Sequence, residues 1–260
     1  MAVKLTILGS GSAGNCAYLE TDETRILVDA GFSGRQIRQR LATISRTPES
    51  VQGILITHEH SDHTAGLVAL AAKFQIPVYC NRLTKEAIEA QLEIQFDSHL
   101  FATGDSFAIG DITVDSFSVP HDASDPVGFL VRTPAGNVGF LTDLGHATRL
   151  VLERIRPANV LLLEANHDPK MLQDNPRRPW SLKQRIQSRH GHLSNDSAAD
   201  IIEQIISPGL RHLFLGHLSR DCNTPELASR VISARLQRLG ATQVTFEPTS
   251  QSTPCPTFSL

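Results

Sequence analysis

Short apolar runs separated by turn-forming residues dominate the first half of the chain. They predict strands over residues 3–8, 17–20, 25–28, 53–57, 78–80, 107–109 and 112–119. Helical patterns fall between some of them, over 34–41, 64–74 and 83–92. The second half repeats the plan. Strands are expected over 128–133, 138–142, 160–163, 213–215 and 243–246, with helices near 148–154, 181–188, 195–206 and 224–238. Gly136 followed by Asn137 suggests a hairpin joining Val131 to Val138. No Pro/Ser-rich linker and no short-period repeat divides the halves, so residues 1–260 read as one domain. Two strand-rich halves with helices outside fit two sheets packed face to face under helices, an α/β (α+β) architecture.

Composition narrows the class. At 260 residues, 40% apolar and 20% charged, the chain can bury a full globular core. A net charge of −3 gives no global attraction to a polyanion, so any nucleic-acid binding must come from a local patch. Cys16, Cys80, Cys222 and Cys255 are scattered with no CxxC pair. That suits a reducing compartment and argues against thiolate metal sites. The N-terminus reads as a strand entering a glycine turn, not as a signal segment, and no apolar stretch approaches a membrane span. The expectation is a soluble cytoplasmic protein with no membrane partner.

The densest chemistry is His58-Glu59-His60-Ser61-Asp62-His63, directly after the apolar run 53–57. Alternate residues in extended chain face the same way, so His58 and His60 can share one point. Adjacent Asp62 and His63 diverge from that point, which suggests two metal ions side by side. The competing reading is a polar turn opening the next helix, with Ser61 or Asp62 as its cap. Three other polar residues stand where apolar strands stop: His121, Asp143 and His217. Asp122 competes with His121 for a ligand role, and Asp143 could cap a helix begun near His146. His146 itself reads as a surface or supporting residue. His99, His190 and His212 have no motif around them.

An HxHxDH motif followed by a His, an Asp and a final His, each ending a strand, resembles the metallo-β-lactamase superfamily across essentially the whole chain. The resemblance implies a four-layer αββα sandwich with a binuclear site at one edge. It places His58, His60 and His121 on one ion, Asp62, His63 and His217 on the other, and Asp143 between them. Imidazole and carboxylate donors suit two Zn²⁺ ions, with Mn²⁺ or Fe as alternatives.

Four further segments bear on the substrate. The glycine turn Leu8-Gly9-Ser10-Gly11-Ser12-Ala13-Gly14-Asn15-Cys16 offers free N–H groups to an anion, with Asn15 a candidate substrate contact. Glu164, after the run 160–163, either orients a metal-bound histidine or merely ends a strand. Ser194 or Asn195 can cap the following helix and leave N–H groups for an anion near His192. Upstream of His192 lie Lys170, Arg177, Arg178, Lys183, Arg185 and Arg189, with Asp174 the only acidic residue among them. Such a cationic approach favours a phosphodiester over a lactam or thioester. In the last segment Thr224-Pro225 opens a helix, and Arg220 either approaches the site or braces its loop.

The stretches LGSGSAGNC, THEHSDH, VPHDASDPVGF, LTDLGH, EANHD, GHLSN and HLSRDCNTPELA resemble the YycJ/WalJ-like branch of the superfamily. That resemblance implies a metal-dependent nuclease, a 5′→3′ exonuclease on DNA with a link to mismatch repair. The GHLS and HLS pieces also resemble the tRNA 3′-processing branch, but no long inserted arm that could grip tRNA is present. The expected chemistry is attack on phosphorus by a hydroxide held between two ions, with Asp62 orienting it and His192 protonating the leaving 3′-oxygen. The alternatives are an RNA-processing nuclease, a small-molecule hydrolase of a thioester, lactam or cyclic phosphodiester, and a metal-stabilised binding subunit. The intact set of seven ligand positions counts against the last.

Overall fold

The computed structural model describes residues 2–260 and builds them into two seven-stranded sheets. The first holds β1 (Lys4–Gly9), β2 (Cys16–Glu20), β3 (Arg25–Val28), β4 (Gly53–Leu55), β5 (Val78–Asn81) and β6 (His99–Phe101) in spatial order. The second holds β7 (Ser106–Ile109), β8 (Ile112–Ser118), β9 (Val127–Thr133), β10 (Gly136–Leu141), β11 (Val160–Glu164), β12 (His212–Gly216) and β13 (Thr245–Pro248). The last strand, β14 (Phe258–Ser259), returns to pair with β1.

Each sheet begins with antiparallel neighbours and ends with parallel ones, β3 to β6 in the first and β10 to β13 in the second. Parallel neighbours need a crossover, and helices supply most of them. These are α1 (Gly34–Thr43), α2 (Ser61–Thr64), α3 (Leu67–Phe74), α4 (Arg82–Leu92), α5 (Arg149–Ile155), α6 (Pro169–Asp174), α7 (Trp180–Ile186), α8 (Asn195–Ile205) and α9 (Pro225–Arg238).

Strand periodicity sorts the core into three slabs. In β11, Val160 and Leu162 join the cluster between the sheets with Ile7, Val28, Phe129 and Phe214. The alternate residues Leu161 and Leu163 pack outward under α8 and α9 with Ile202, Leu213 and Ile232. A third cluster, with Leu27, Ile54, Ile37 and Leu70, lies under α1 and α3. A strand buried on both faces reads as an unbroken apolar run, which is why β11 and β12 were visible in the sequence. The four-layer αββα sandwich is present as expected.

Several expectations require correction. The helix expected over 64–74 is two helices, because Gly66 is drawn out of line by its N–H bond to Ala30 O at 2.8 Å. A Cβ on Gly66 would sit 2.2 Å from Phe32 O. The hairpin joining Val131 to Val138 is present, with those two residues register partners, but it turns at Pro134-Ala135, since Thr133 pairs with Gly136 and Asn137 lies within the strand. The strand expected over 243–246 runs two residues later, over Thr245–Pro248. Helix α6, capped by Asp168 onto Met171 N, and the short edge strands β6 and β14 were not anticipated.

Candidate metal centre

β1, β3 and β4 run codirectionally in one sheet, and β8, β10, β11 and β12 do so in the other. Their C-terminal ends open on one pocket, lined among others by His60, Asp62, His121, Asp143, His192 and His217. Three buried polar residues at these strand ends hold left-handed backbone: Asp29 (φ 60°), Asp143 (φ 58°) and His217 (φ 54°). Such conformations cost of order 1–3 kcal/mol each and persist where surrounding contacts over-determine them.

Two groups of donors emerge. His58 Nε2 lies 3.0 Å from His60 Nδ1, and His121 Nε2 is 3.4 Å from the same nitrogen. In the second group, His217 Nε2 is 3.3 Å and His63 Nε2 3.6 Å from Asp62 Oδ2. Asp143 reaches between them, Oδ2 at 3.1 Å from His63 Nε2 and Oδ1 at 3.4 Å from His217 Nε2. His58, His63 and Asp143 also converge closely enough to share an ion. All seven expected positions are thus brought together, in overlapping groups, and Asp143 and His217 converge with Glu164 and His192 as well. The reasoning for Asp62 and His63 needs amendment, because both sit on α2, where neighbours are not opposed as in a strand, and both serve the second group. The capping alternatives lose their basis. Thr148 caps α5 and Asp143 does not, while α2 has no side-chain cap. Asp122 points to Arg185.

On three rings the far side meets an acceptor that fixes which nitrogen faces inward. His63 Nδ1 lies 2.8 Å from Asp29 Oδ2, His121 Nδ1 3.2 Å from Gly191 O, and His217 Nδ1 3.3 Å from Glu164 Oε1. A ring that donates its Nδ1–H to such an acceptor presents an Nε2 lone pair to the pocket, the usual support of a metal-bound histidine. His63 Nε2 and Asp143 Oδ2 then face each other as two lone pairs, and no hydrogen bond satisfies that buried oxygen. A cation between them, proton or metal, resolves the conflict. Buried nitrogen and oxygen donors with one orphaned carboxylate oxygen fit a divalent metal.

Charge at the site is strongly coupled. Burial pushes His58 well below the ordinary imidazole range, with His63 adding to the effect. Burial would raise Asp143, but the imidazoles of His217 and His63 outweigh it and hold the carboxyl well below its usual range. Burial also opposes charge on His63 and His217. Asp29 and Asp143 at the first, and Asp143, Asp62 and Glu164 at the second, drive both well above the usual range.

Glu164 is a bracing group and more than a strand terminus. Fully buried, it meets His192 Nδ1 at 2.7 Å through Oε1, while Oε2 accepts from Leu144 N at 3.0 Å. Burial would raise its pKa, yet His192 brings it down to about 2. The same pair, against the effect of burial, raises His192. The His192 ring stacks 5.1 Å from His217 and lies 5.3 Å from His121, with its side chain 23% exposed. His146 stands outside, with Nδ1 3.0 Å from Arg189 O.

The expected substrate contacts fare differently. Asn15 is buried and holds the centre from beneath, with Nδ2 3.0 Å from His63 Nε2 and 3.3 Å from Asp62 Oδ2. Ser194 spends its hydroxyl capping α8 at Ser197 N, and fully buried Asn195 exchanges hydrogen bonds with Asn223. Neither lines the pocket. Arg220 is exposed and also lies outside the lining. The cationic approach is less uniform than its sequence, because acidic side chains arrive from elsewhere. Asp122 pairs with Arg185 at 2.7 Å, and Asp221 pairs with Arg177 and Arg178 at 2.9 and 3.2 Å. Lys183 is buried on Gln173 O. Of that basic run, only Arg178 and Arg185 line the pocket.

Sequence reasoning missed Asp29, Glu59 and Asn166. Asp29 accepts from Thr57 N and Thr57 Oγ1 as well as supporting His63. Glu59 ties the hexapeptide to the loop after His121 by accepting from Ser124 N and Oγ at 2.8 Å. Asn166 Nδ2 donates to His217 O at 2.8 Å. Asp29 carried the same signal as Asp143, a carboxylate where an apolar strand stops.

Residues 24–217 match the model of the β-lactamase superfamily domain. The chain is 40% identical over 242 residues to a Bacillus anthracis protein named exodeoxyribonuclease YycJ, covering 92% of this chain and 91% of that one. It is 41% identical over 229 residues to a Streptococcus pneumoniae protein named exodeoxyribonuclease WalJ, covering 86% and 85%. Among solved structures, the metallo-β-lactamase fold protein YhfI of Bacillus subtilis superposes with a TM-score of 0.75 over all of both chains, at 15% identity. The chain belongs to the β-lactamase superfamily, and within it to the family of the YycJ and WalJ proteins.

Proposed function

We propose that the chain is a metal-dependent phosphodiester hydrolase that removes nucleotides from the 5′ end of DNA. The observation that carries this reading is His192, an imidazole anchored on buried Glu164 at 2.7 Å and opening on the pocket beside the metal ligands. A poor leaving group such as a 3′-alkoxide needs a proton donor there. The names of the YycJ and WalJ relatives point to DNA as the polymer.

We assign His58, His60 and His121 to one ion, Asp62, His63 and His217 to a second, and Asp143 to both, with Zn²⁺ first and Mn²⁺ or iron as alternatives. Such ions would acidify a water toward neutral pH and offset charge on the phosphoryl oxygens. The remaining work falls to side chains. Asp62, steadied by Asn15, orients the attacking water. Glu164 keeps the Nδ1 proton of His192, so Nε2 delivers its own proton to the departing 3′-oxygen. We read residues 1–260 as one domain, since both sheets contribute to one pocket. No helix among the described residues is long and apolar enough to cross a membrane. Four buried free cysteines suit a reducing, cytoplasmic setting.

The test is incubation of the metal-loaded protein with end-labelled duplex DNA, single-stranded DNA and structured RNA. Mononucleotides should leave from DNA 5′ ends, and inactivity on all three sinks the reading. A second reading, hydrolysis of a small phosphodiester, draws on a pocket of only about 230 Å³ and on the neutralising Asp122 and Asp221. Salt separates the two: DNA turnover weakens steeply as ionic strength rises, and small-substrate turnover does not.

A further inference from the structure

The two arginines that line the pocket are paired unequally. Arg185 Nε meets Asp122 Oδ2 at 2.7 Å, one charge against one. Arg178 Nη2 reaches Asp221 Oδ2 at 3.2 Å, but Arg177 takes the other oxygen at 2.9 Å. Two guanidiniums therefore share one carboxylate, and the trio keeps a positive surplus. Arg178 Nε is buried and meets no acceptor, an uncommon state for a buried donor.

The same pocket offers two hydroxyls. Ser219 Oγ accepts from Cys222 N at 3.3 Å, which leaves its own proton free to donate. Ser12 is exposed on a loop that Gln251 pins at Ala13 N and Gly14 O, each at 2.8 Å. An under-paired guanidinium with hydroxyl donors suits a tetrahedral oxyanion, and phosphate above all. The volume, about 230 Å³, lies below the roughly 300 Å³ where ordinary ligand pockets begin.

We propose that Arg178, with Ser12 and Ser219, forms a subsite for the terminal 5′-phosphate of the strand being degraded, one nucleotide from the phosphodiester at the metal centre. This rests on the DNA exonuclease reading above. A terminal monoester carries about −1.5 to −2 charge near neutrality, against one charge on an internal phosphate, so the surplus at Arg178 selects the end. Arg185, already neutralised, contributes little to that selection.

The test compares one 12-nucleotide DNA bearing a 5′-phosphate or a 5′-hydroxyl. Binding is measured by anisotropy of a 3′ label on the metal-loaded His192→Ala chain, and turnover on the unaltered chain. The 5′-phosphate should bind at least tenfold tighter and show the preference in KM more than in kcat. Adding Arg178→Gln should bring the two affinities together, Arg178→Lys should restore part of the gap, and Arg185→Gln should keep it. Equal affinity for both ends, or no binding of either, overturns the subsite. A phosphate-dependent affinity without turnover of any DNA by the unaltered chain upholds the subsite and overturns the nuclease reading instead.

Discussion

The inner cage and the outer rim of the pocket follow different physical rules. In the cage, His58, His63, Asp143 and His217 are buried, and each is tied to a specific acceptor, donor or neighbouring ligand. On the rim, Arg177 and Arg185 are mostly exposed, with 73% and 62% of their side chains accessible, and each is held by one carboxylate. A buried charge that loses its partner is costly, whereas an exposed ion pair is worth about 0–1 kcal/mol. The cage is therefore intolerant of change, and the rim can be retuned.

Substitutions from the centre outward put that contrast at risk. Asp143→Ala should have the largest effect, emptying or distorting the ligand set. Metal analysis should find less bound ion, and activity should fall beyond the ~10²-fold that loss of a mere supporting residue costs. Full metal content with normal turnover would refute its place between the two groups. His192→Ala should keep the metal yet lose about 10²–10⁴ in rate, and wild-type nuclease activity in that variant would end its role as proton donor. Asp29→Asn lies behind the cage and should weaken metal affinity about 10–100-fold through His63. Unchanged affinity by competition with a chelator would move Asp29 to a purely structural part. The smallest effect belongs to the rim. Asp221→Asn frees Arg177 and Arg178, and the plot of log affinity for DNA against log salt should steepen by about one. A flat response would mean these arginines do not meet phosphate.

The same contrast explains what the sequence could disclose. Four cage residues lie within six positions, and the other three each end an apolar strand, so local pattern was enough to collect them. The layers were legible for a similar reason, since strands buried on both faces leave unbroken apolar runs. Helix interruption at Gly66 was not legible, because its cause is a backbone contact with Ala30 and Phe32. The rim was misread because charge was judged along the chain. Asp122 and Asp221 lie 63 and 43 residues from Arg185 and Arg178, the first neutralising its arginine and the second shared with Arg177. Asn15 and Asn195 have the polarity of ligand contacts, yet folding turns them inward, to support Asp62 and to pair with Asn223.

That the cage spans both sheets has a consequence for how the protein is made. His58 to His63 come from the first sheet, whereas His121, Asp143 and His217 come from the second. A chain emerging from the ribosome N-terminus first presents the hexapeptide long before its remaining donors exist, and His217 arrives only with β12. Until then the group that includes His217 lacks a donor, whereas His58, His60 and His121 are already made. Filling of the second position is thus deferred to the stage at which both halves have folded and docked, and an arrested fragment ending before β12 would be released with its centre unfinished.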